Sequence, residues 1–199
     1  MTEQLGLRER KKLQTRHRIE TAAFDHFAMD GFDGTTIETI AASADISPRT
    51  FFYYFPTKED VVLADYASRL DRIVEQLSER PATEGPWDAL RASILVVAAD
   101  YDNERDRLIR RFQIMATTPS VYARSLQLQS GWEDALASVL AQRMGCDAEN
   151  LGPRVLAASA LGALRASQRH WIASGQRAPL PSLVEDCFDQ LATGLAAIG

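Results

Sequence analysis

Between positions 47 and 54 the chain reads Ser-Pro-Arg-Thr-Phe-Phe-Tyr-Tyr, and three of these side chains, Arg49, Thr50 and Tyr53, carry hydrogen-bonding groups suited to a nucleic acid. An arginine fork matches guanine O6 and N7, a threonine meets a thymine methyl or a phosphate, and a tyrosine hydroxyl suits a phosphate oxygen. No comparable set exists for bond-making chemistry. His17, His26 and His170 fall in separate predicted helices and form no cluster with cysteine or carboxylate at metal-ligand spacing. There is no phosphate loop, dinucleotide fingerprint or serine elbow, and no Glu-x-x-His pair of the kind that holds two metals in a helical bundle. The expectation is a protein that is not an enzyme and holds neither metal nor cofactor.

To present Arg49, Thr50 and Tyr53 together, the stretch has to be a short helix on a firm support. Ser47 is a good N-cap and Pro48 stands at the first helical position, where its missing N–H costs nothing. Phe51 and Phe55, four apart, are expected to be buried, and Pro56 stops the helix. Upstream, Thr35-Thr36-Ile37-Glu38 reads as a capping box that opens a helix from Ile37 to about Ala44, with Ile37, Ile40, Ala41 and Ala44 on one face. Asp45-Ile46-Ser47 is the turn between them, and aspartate tolerates the left-handed backbone such a turn needs. Two capped helices with a tight turn form a helix-turn-helix, whose second helix enters the major groove. The spacing alone equally allows an αα-hairpin with a polar outer face.

The rest of the chain is also helical in period. Leu13, Ile19, Ala22, Ala23 and Phe27 mark a first helix from Leu7 to Asp30, ended by Gly31. Thr57-Lys58-Glu59-Asp60 caps a long helix running to about Arg80. Five more follow, at about Trp87 to Tyr101, Glu104 to Ala116, Pro119 to Gly145, Gly152 to Gly175 and Pro181 to Ile198. No hairpin-bounded alternation appears, so the fold class is all-α.

The 199 residues carry a net charge of −5, so the overall balance is no argument for nucleic acid. The distribution says more. Arg8, Arg10, Lys11, Lys12, Arg16 and Arg18 outweigh Glu3 and Glu9 at the start of the first helix, while residues 1 to 58 as a whole are neutral. A phosphate footprint would have to be local; a solvated helix start accounts for the same run. Cys146 and Cys187 read as isolated small core residues. With no apolar leader and no stretch of about 18 apolar residues, the expectation is a cytoplasmic chain with no membrane partner.

The run Ile19 to Phe27, Gly31-Phe32, Thr35-Thr36-Ile37, Ile40-Ala41, Ala44, Ile46-Ser47, Thr50-Phe51, Tyr54-Phe55 and Thr57-Lys58-Glu59 resembles the TetR/AcrR regulator signature over about forty residues. The form Arg-Thr-Phe-Phe-x-Tyr-Phe-Pro-x-Lys-Glu-Asp looks closest to an actinobacterial branch that includes mycofactocin-type and acyl-CoA-responsive regulators. The resemblance implies a helix-turn-helix domain over residues 1–58 and a ligand-binding and dimerisation bundle over 59–199. It implies phosphate binding by Thr36 at a helix N-terminus, with Ser47, Arg49 and Thr50 at base edges and Tyr53 on a phosphate. Lys58 would clamp the backbone, and Arg16 or a neighbour would reach phosphate or the minor groove. The sequence departs from the usual pattern at Asp45, Arg49, Phe52 and Tyr54; the missing hydroxyl of Phe52 removes one possible phosphate contact.

The same resemblance implies a repressor that sits as a homodimer on a near-palindromic operator and is released by a small effector, acyl-CoA or another hydrophobic compound. Phe112, Met115, Tyr122, Trp132, Leu136 and Trp171 are candidates to line the effector cavity, with Arg165, Arg169 or His170 as polar partners; each aromatic also fits an ordinary core. The small residues from Ala157 to Ala166 and the stripe Leu180, Val184, Cys187, Leu191, Leu195 and Ile198 suit pairing across a two-fold axis, or packing inside one subunit. The alternative function is a helical ligand-binding or adaptor protein that no longer binds DNA.

Overall fold

Caps and prolines divide the chain into helices largely where their chemistry requires. The computed structural model describes residues 6–100 and 105–194, and every regular element among them is an α-helix. Tertiary contacts group the described residues into two units, those within Met1–Ala64 with Thr118–Arg124 and those within Asp65–Thr117 with Ser125–Gly199.

The first unit contains α1 (Leu7–Gly34), α2 (Ile37–Ser43), α3 (Pro48–Tyr54) and α4 (Lys58–Val62). Ile19, Ala23, Ile40, Ala41, Phe51 and Val61 are fully buried and form its core. Leu13, counted in the apolar stripe of α1, is instead 49% exposed, because it lies in the basic first half of the helix, ahead of the buried run that begins at Ile19. Gly31 (φ 73°, ψ 165°) breaks the helical backbone near the end of α1, a conformation that a residue with a Cβ rarely adopts.

Two local expectations need correction. The capping box of α2 runs from Thr36 to Thr39, not from Thr35 to Glu38: the Thr39 N–H donates to Thr36 Oγ1 at 3.1 Å, and the Thr36 N–H to Thr39 Oγ1 at 3.2 Å. Thr35 is buried and its hydroxyl donates to the Gly31 carbonyl at 2.8 Å, so it closes α1 instead of opening α2. The long helix expected from Thr57 to Arg80 is two helices, α4 and α5 (Asp65–Glu79). At the break the Ala64 N–H bonds the Val61 carbonyl at 3.3 Å in a tight turn, while the Ala64 carbonyl accepts from Arg16 at 2.9 Å.

The second unit holds α5, α6 (Pro86–Ala99), α7 (Arg105–Thr117), most of α8 (Pro119–Met144), α9 (Leu151–Ala173) and α10 (Leu180–Thr193). Leu77, Leu90, Ile94, Leu136, Leu140 and Phe188 lie at its centre with at most 1% exposure. Of the apolar stripe of α10, Leu180 and Val184 are buried in that core beside Phe188, which stacks on Trp87 at 4.9 Å, while Cys187 and Leu191 pack half-buried against it. Leu195 and Ile198 lie outside the described residues. On α9, Ala157, Ala160 and Ala163 face inward, while Leu151, Val155, Ala158 and Ala166 are exposed.

Arg143 of α8 ties the last turn of α5 and the connection that follows it. Its guanidinium donates to the carbonyls of Leu77, Arg80, Pro81 and Glu84 at 3.4, 3.0, 2.8 and 3.3 Å. A hydrogen bond from Arg80 also holds the Glu84 carboxyl below the usual carboxylate range. The last carbonyls of a helix have no partner within it, and charged donors are the strong ones. Arg143→Ala is therefore expected to lower stability by about 2–3 kcal/mol, read by urea unfolding; a loss below about 0.5 kcal/mol would mean that water replaces the guanidinium freely.

Candidate nucleic-acid interface

The α2–turn–α3 unit is built by short-range bonds that leave one face outward. Asp45 takes the left-handed backbone, φ 54°, in the turn. Ser47 accepts the Thr50 N–H at 3.1 Å, and Pro48 occupies the first turn. Phe51 (0% exposed) and Phe55 (2%) anchor α3 to the unit. With those two inward, Arg49, Phe52 and Tyr53 are exposed, Tyr53 at 72%. Thr50 is half-buried, its hydroxyl 2.9 Å from that of Ser47. Thr36, at the N-terminus of α2, is exposed. Exposed donors on a capped helix pair anchored from beneath can read base edges and phosphates.

The other two candidates are engaged inside the unit. The Lys58 ammonium donates to the carbonyls of Phe32 and Thr35 at 2.7 and 3.1 Å. Arg16 donates to the Ala64 carbonyl, pairs with Glu20 at 3.4 Å and lies 4.9 Å from the centroid of the Phe55 ring. The sequence reading missed a groove of about 750 Å³ lined by Arg8, Lys11, Lys12, Thr15, Tyr53 and Tyr54 among others. The available signal was the recurrence of 8, 11, 12 and 15 on one side of a helix.

The cavity candidates are dispersed. Phe112 and Trp171, both buried, meet edge to face at 6.2 Å. Met115 accepts a hydrogen bond from the Tyr66 hydroxyl at 3.4 Å, and Tyr66 packs on Trp132 at 5.3 Å. Tyr66 was missed, although its spacing to Leu70, Ile73 and Leu77 puts it on the apolar face of α5. Arg165 donates to Gln129 at 2.7 Å, whereas Arg169 and His170 are exposed. Leu136 is core, and Tyr122 belongs to the segment grouped with the first unit. Among the described residues no group of histidine, cysteine and carboxylate is arranged to hold a metal, and no helix is long and apolar enough to cross a membrane.

A first unit that presents a capped helix pair joined by a four-residue connection, with an outward arginine on the second helix, has the architecture of a helix-turn-helix DNA-binding protein. Residues 19–64 match the family model described as bacterial regulatory proteins, tetR family, and residues 84–196 match the one described as MftR C-terminal domain. The transcriptional regulator MftR of Mycobacterium tuberculosis, named for mycofactocin biosynthesis, is 27% identical over 94% of this chain and 93% of its own length. The HTH-type transcriptional regulator TcmR of Streptomyces glaucescens is 30% identical over 83% of this chain and 76% of its own. Among solved structures, the Thermus thermophilus FadR repressor in complex with lauroyl-CoA is 26% identical with a TM-score of 0.58, covering 90% of this chain and 94% of that one. The chain belongs to the TetR family of helix-turn-helix, DNA-binding transcriptional regulators.

Proposed function

We propose that this regulator is a ligand-released repressor that works in the cytoplasm as a homodimer, without enzymatic activity, on a near-palindromic operator whose half-sites lie about one DNA turn, roughly 34–36 Å, apart. Residues 1–58 serve as the reading head and 59–199 bind the effector and the second copy. The observation that carries the reading is the outward face of α3: with Phe51 and Phe55 buried, Arg49 and Tyr53 are exposed. Arg49 reads guanine, Ser47 and Thr50 sit at neighbouring bases, Tyr53 meets a phosphate, and Thr36 binds a phosphate at the start of α2. Lys11 and Lys12, exposed in the groove beside Tyr53, add charge along the backbone. The exposed Leu151, Val155, Ala158 and Ala166 of α9 supply the self-complementary apolar face of the dimer.

The effector is a small hydrophobic compound, with acyl-CoA as the first class to test because the FadR repressor of T. thermophilus holds one. Effector releases DNA only by binding the non-operator conformation more tightly. A hundredfold fall in operator affinity requires about 2.7 kcal/mol of such preference. The test is fluorescence anisotropy with a duplex selected from a random library, followed by addition of acyl-CoAs. Arg49→Ala is expected to weaken binding by about 1–3 kcal/mol and to relax base preference at one position in each half-site. No selected duplex bound above random DNA would leave a helical ligand-binding adaptor as the function.

A further inference from the structure

The second unit buries two arginines, Arg69 (7% exposed) and Arg111 (4%), and charge inside a helical bundle is expensive to keep. Both turn to the first residue of α5. Arg111 Nε lies 3.4 Å and Arg69 Nη2 3.9 Å from Asp65 Oδ2, while Arg107 Nη2 donates to Asp65 Oδ1 at 3.2 Å. Three guanidinia thus converge on one carboxylate, at distances longer than the roughly 2.7–2.9 Å of tight charge-assisted bonds. Asp65 Oδ2 is buried and accepts no hydrogen bond. Charge holds this carboxylate more than directed bonds do, so a second acid can compete for the same forks.

One turn further along α7 the chemistry changes. Met115 follows Arg111 by four positions, Tyr66 follows Asp65, and the Tyr66 hydroxyl donates to Met115 Sδ at 3.4 Å. A thioether is a weak acceptor for such a donor. Trp132, from α8, lies 5.3 Å from the Tyr66 ring, and Leu70 packs on the same core. α5 and α7 therefore meet twice: charge on charge at 65 and 111, ring on thioether at 66 and 115. Four residues of helix separate the two contacts along α7 by about 6 Å.

We propose that this pairing anchors the effector, and that the effector is an apolar carboxylic acid. Its carboxylate takes the forks of Arg111 and Arg69 in place of Asp65, and its apolar body lies on Tyr66, Met115 and Trp132. A guanidinium fork matches a carboxylate in plane, two N–H groups to two oxygens. This rests on the effector-binding reading above and narrows its class from hydrophobic compounds in general to free acids. Asp65 stands directly after Ala64, at the break between α4 and α5. An acid that displaces it unties the start of α5 from α7, and so binds one conformation in preference to the other, which release of an operator requires.

The probes are dodecanoate and 1-dodecanol, which share one alkyl chain and differ in the charged head, titrated calorimetrically into the full chain without DNA. Wild type is expected to bind the acid at least about tenfold more tightly than the alcohol, and Arg111→Met to lose that ratio. Asp65→Asn keeps the guanidinia and removes their competitor, so dodecanoate is expected to bind it at least about threefold more tightly than wild type. A purely structural role for Asp65 would not raise affinity. Equal binding of acid and alcohol by wild type, no binding of dodecanoate, or an unchanged or lowered affinity in folded Asp65→Asn would each overturn the proposal. Lauroyl-CoA bound more tightly than dodecanoate, and equally by wild type and Asp65→Asn, would also overturn it and leave the acyl-CoA class. The wild-type ratio needs no variant, so it stands as a test even if neither substitution folds. No titration uses DNA: a wild type that binds dodecanoate but no duplex would count against the operator reading alone.

Discussion

Phe51→Ala is expected to cost about 3–5 kcal/mol of stability and to abolish operator binding, although the phenylalanine ring never meets the DNA. Phe51 has no exposed surface, and it touches Phe52 edge to face at 5.8 Å and Phe55 at 6.0 Å. Its ring is the peg that holds a seven-residue helix in place, and a helix that short does not persist without tertiary support. Removing it frees α3 from the unit, so Arg49 and Tyr53 lose their fixed direction. Phe51→Leu keeps most of the volume and is expected to cost less than about 1.5 kcal/mol while retaining most of the operator affinity. The checks are urea unfolding by circular dichroism and anisotropy on one duplex. Full operator affinity in Phe51→Ala would show that the recognition helix is positioned by its caps alone.

Trp171→Ala is expected to destabilise the second unit by a similar amount, about 3–5 kcal/mol. The indole is 2% exposed, packs edge to face on Phe112 and carries the Arg105 guanidinium 5.7 Å from its ring centroid. Its Nε1–H donates to the Ala178 carbonyl at 3.0 Å, which pins the connection between α9 and α10 across Gly175 and Gln176, both at positive φ. Trp171→Phe retains an aromatic body but leaves that carbonyl without its donor, with an expected loss of about 1–2 kcal/mol. The pair of variants also separates core from cavity. An effector that binds Trp171→Phe as tightly as wild type would place Trp171 in the packing, whereas a large loss of effector affinity at small stability cost would place it against the ligand.

Much of the first unit could be read from residue types because its geometry is set locally. A serine followed by proline, phenylalanines four apart and an aspartate in a tight turn each act within a few positions, and all appear where they were expected. The capping box was misplaced by one residue for an equally local reason. Two threonines in a row offered two registers, and only the involvement of Thr35 with the Gly31 carbonyl removed it from the competition. The break between α4 and α5 had no local signature. Val-Val-Leu-Ala-Asp is acceptable helix sequence, and the interruption coincides with a guanidinium from 48 positions upstream bonded to the Ala64 carbonyl.

The internal bonds of Lys58 and Arg16 were likewise invisible in the sequence. Lys58 and Arg16 match basic positions from which phosphate contacts were expected, yet the structure shows both bonded to backbone carbonyls of their own unit. A long, flexible cation can serve an anion or a helix end equally well, and composition does not say which is nearer. In α9 and α10 the apolar stripe was visible, but a stripe specifies only that something must cover it. The side chains of Leu180, Val184 and Phe188 turned out to be covered by their own subunit.

By itself, then, the sequence determined the helical class, the short capped helix α3 and the residues that face out from it, since caps, turns and 3.6-residue periods act over a few positions. Only the tertiary structure decided where α4 ends, which cations are spent on internal carbonyls, which face of α10 is buried, and that Thr118–Arg124 group with the first unit. Those outcomes depend on groups tens of residues apart meeting in space, and no local pattern encodes that.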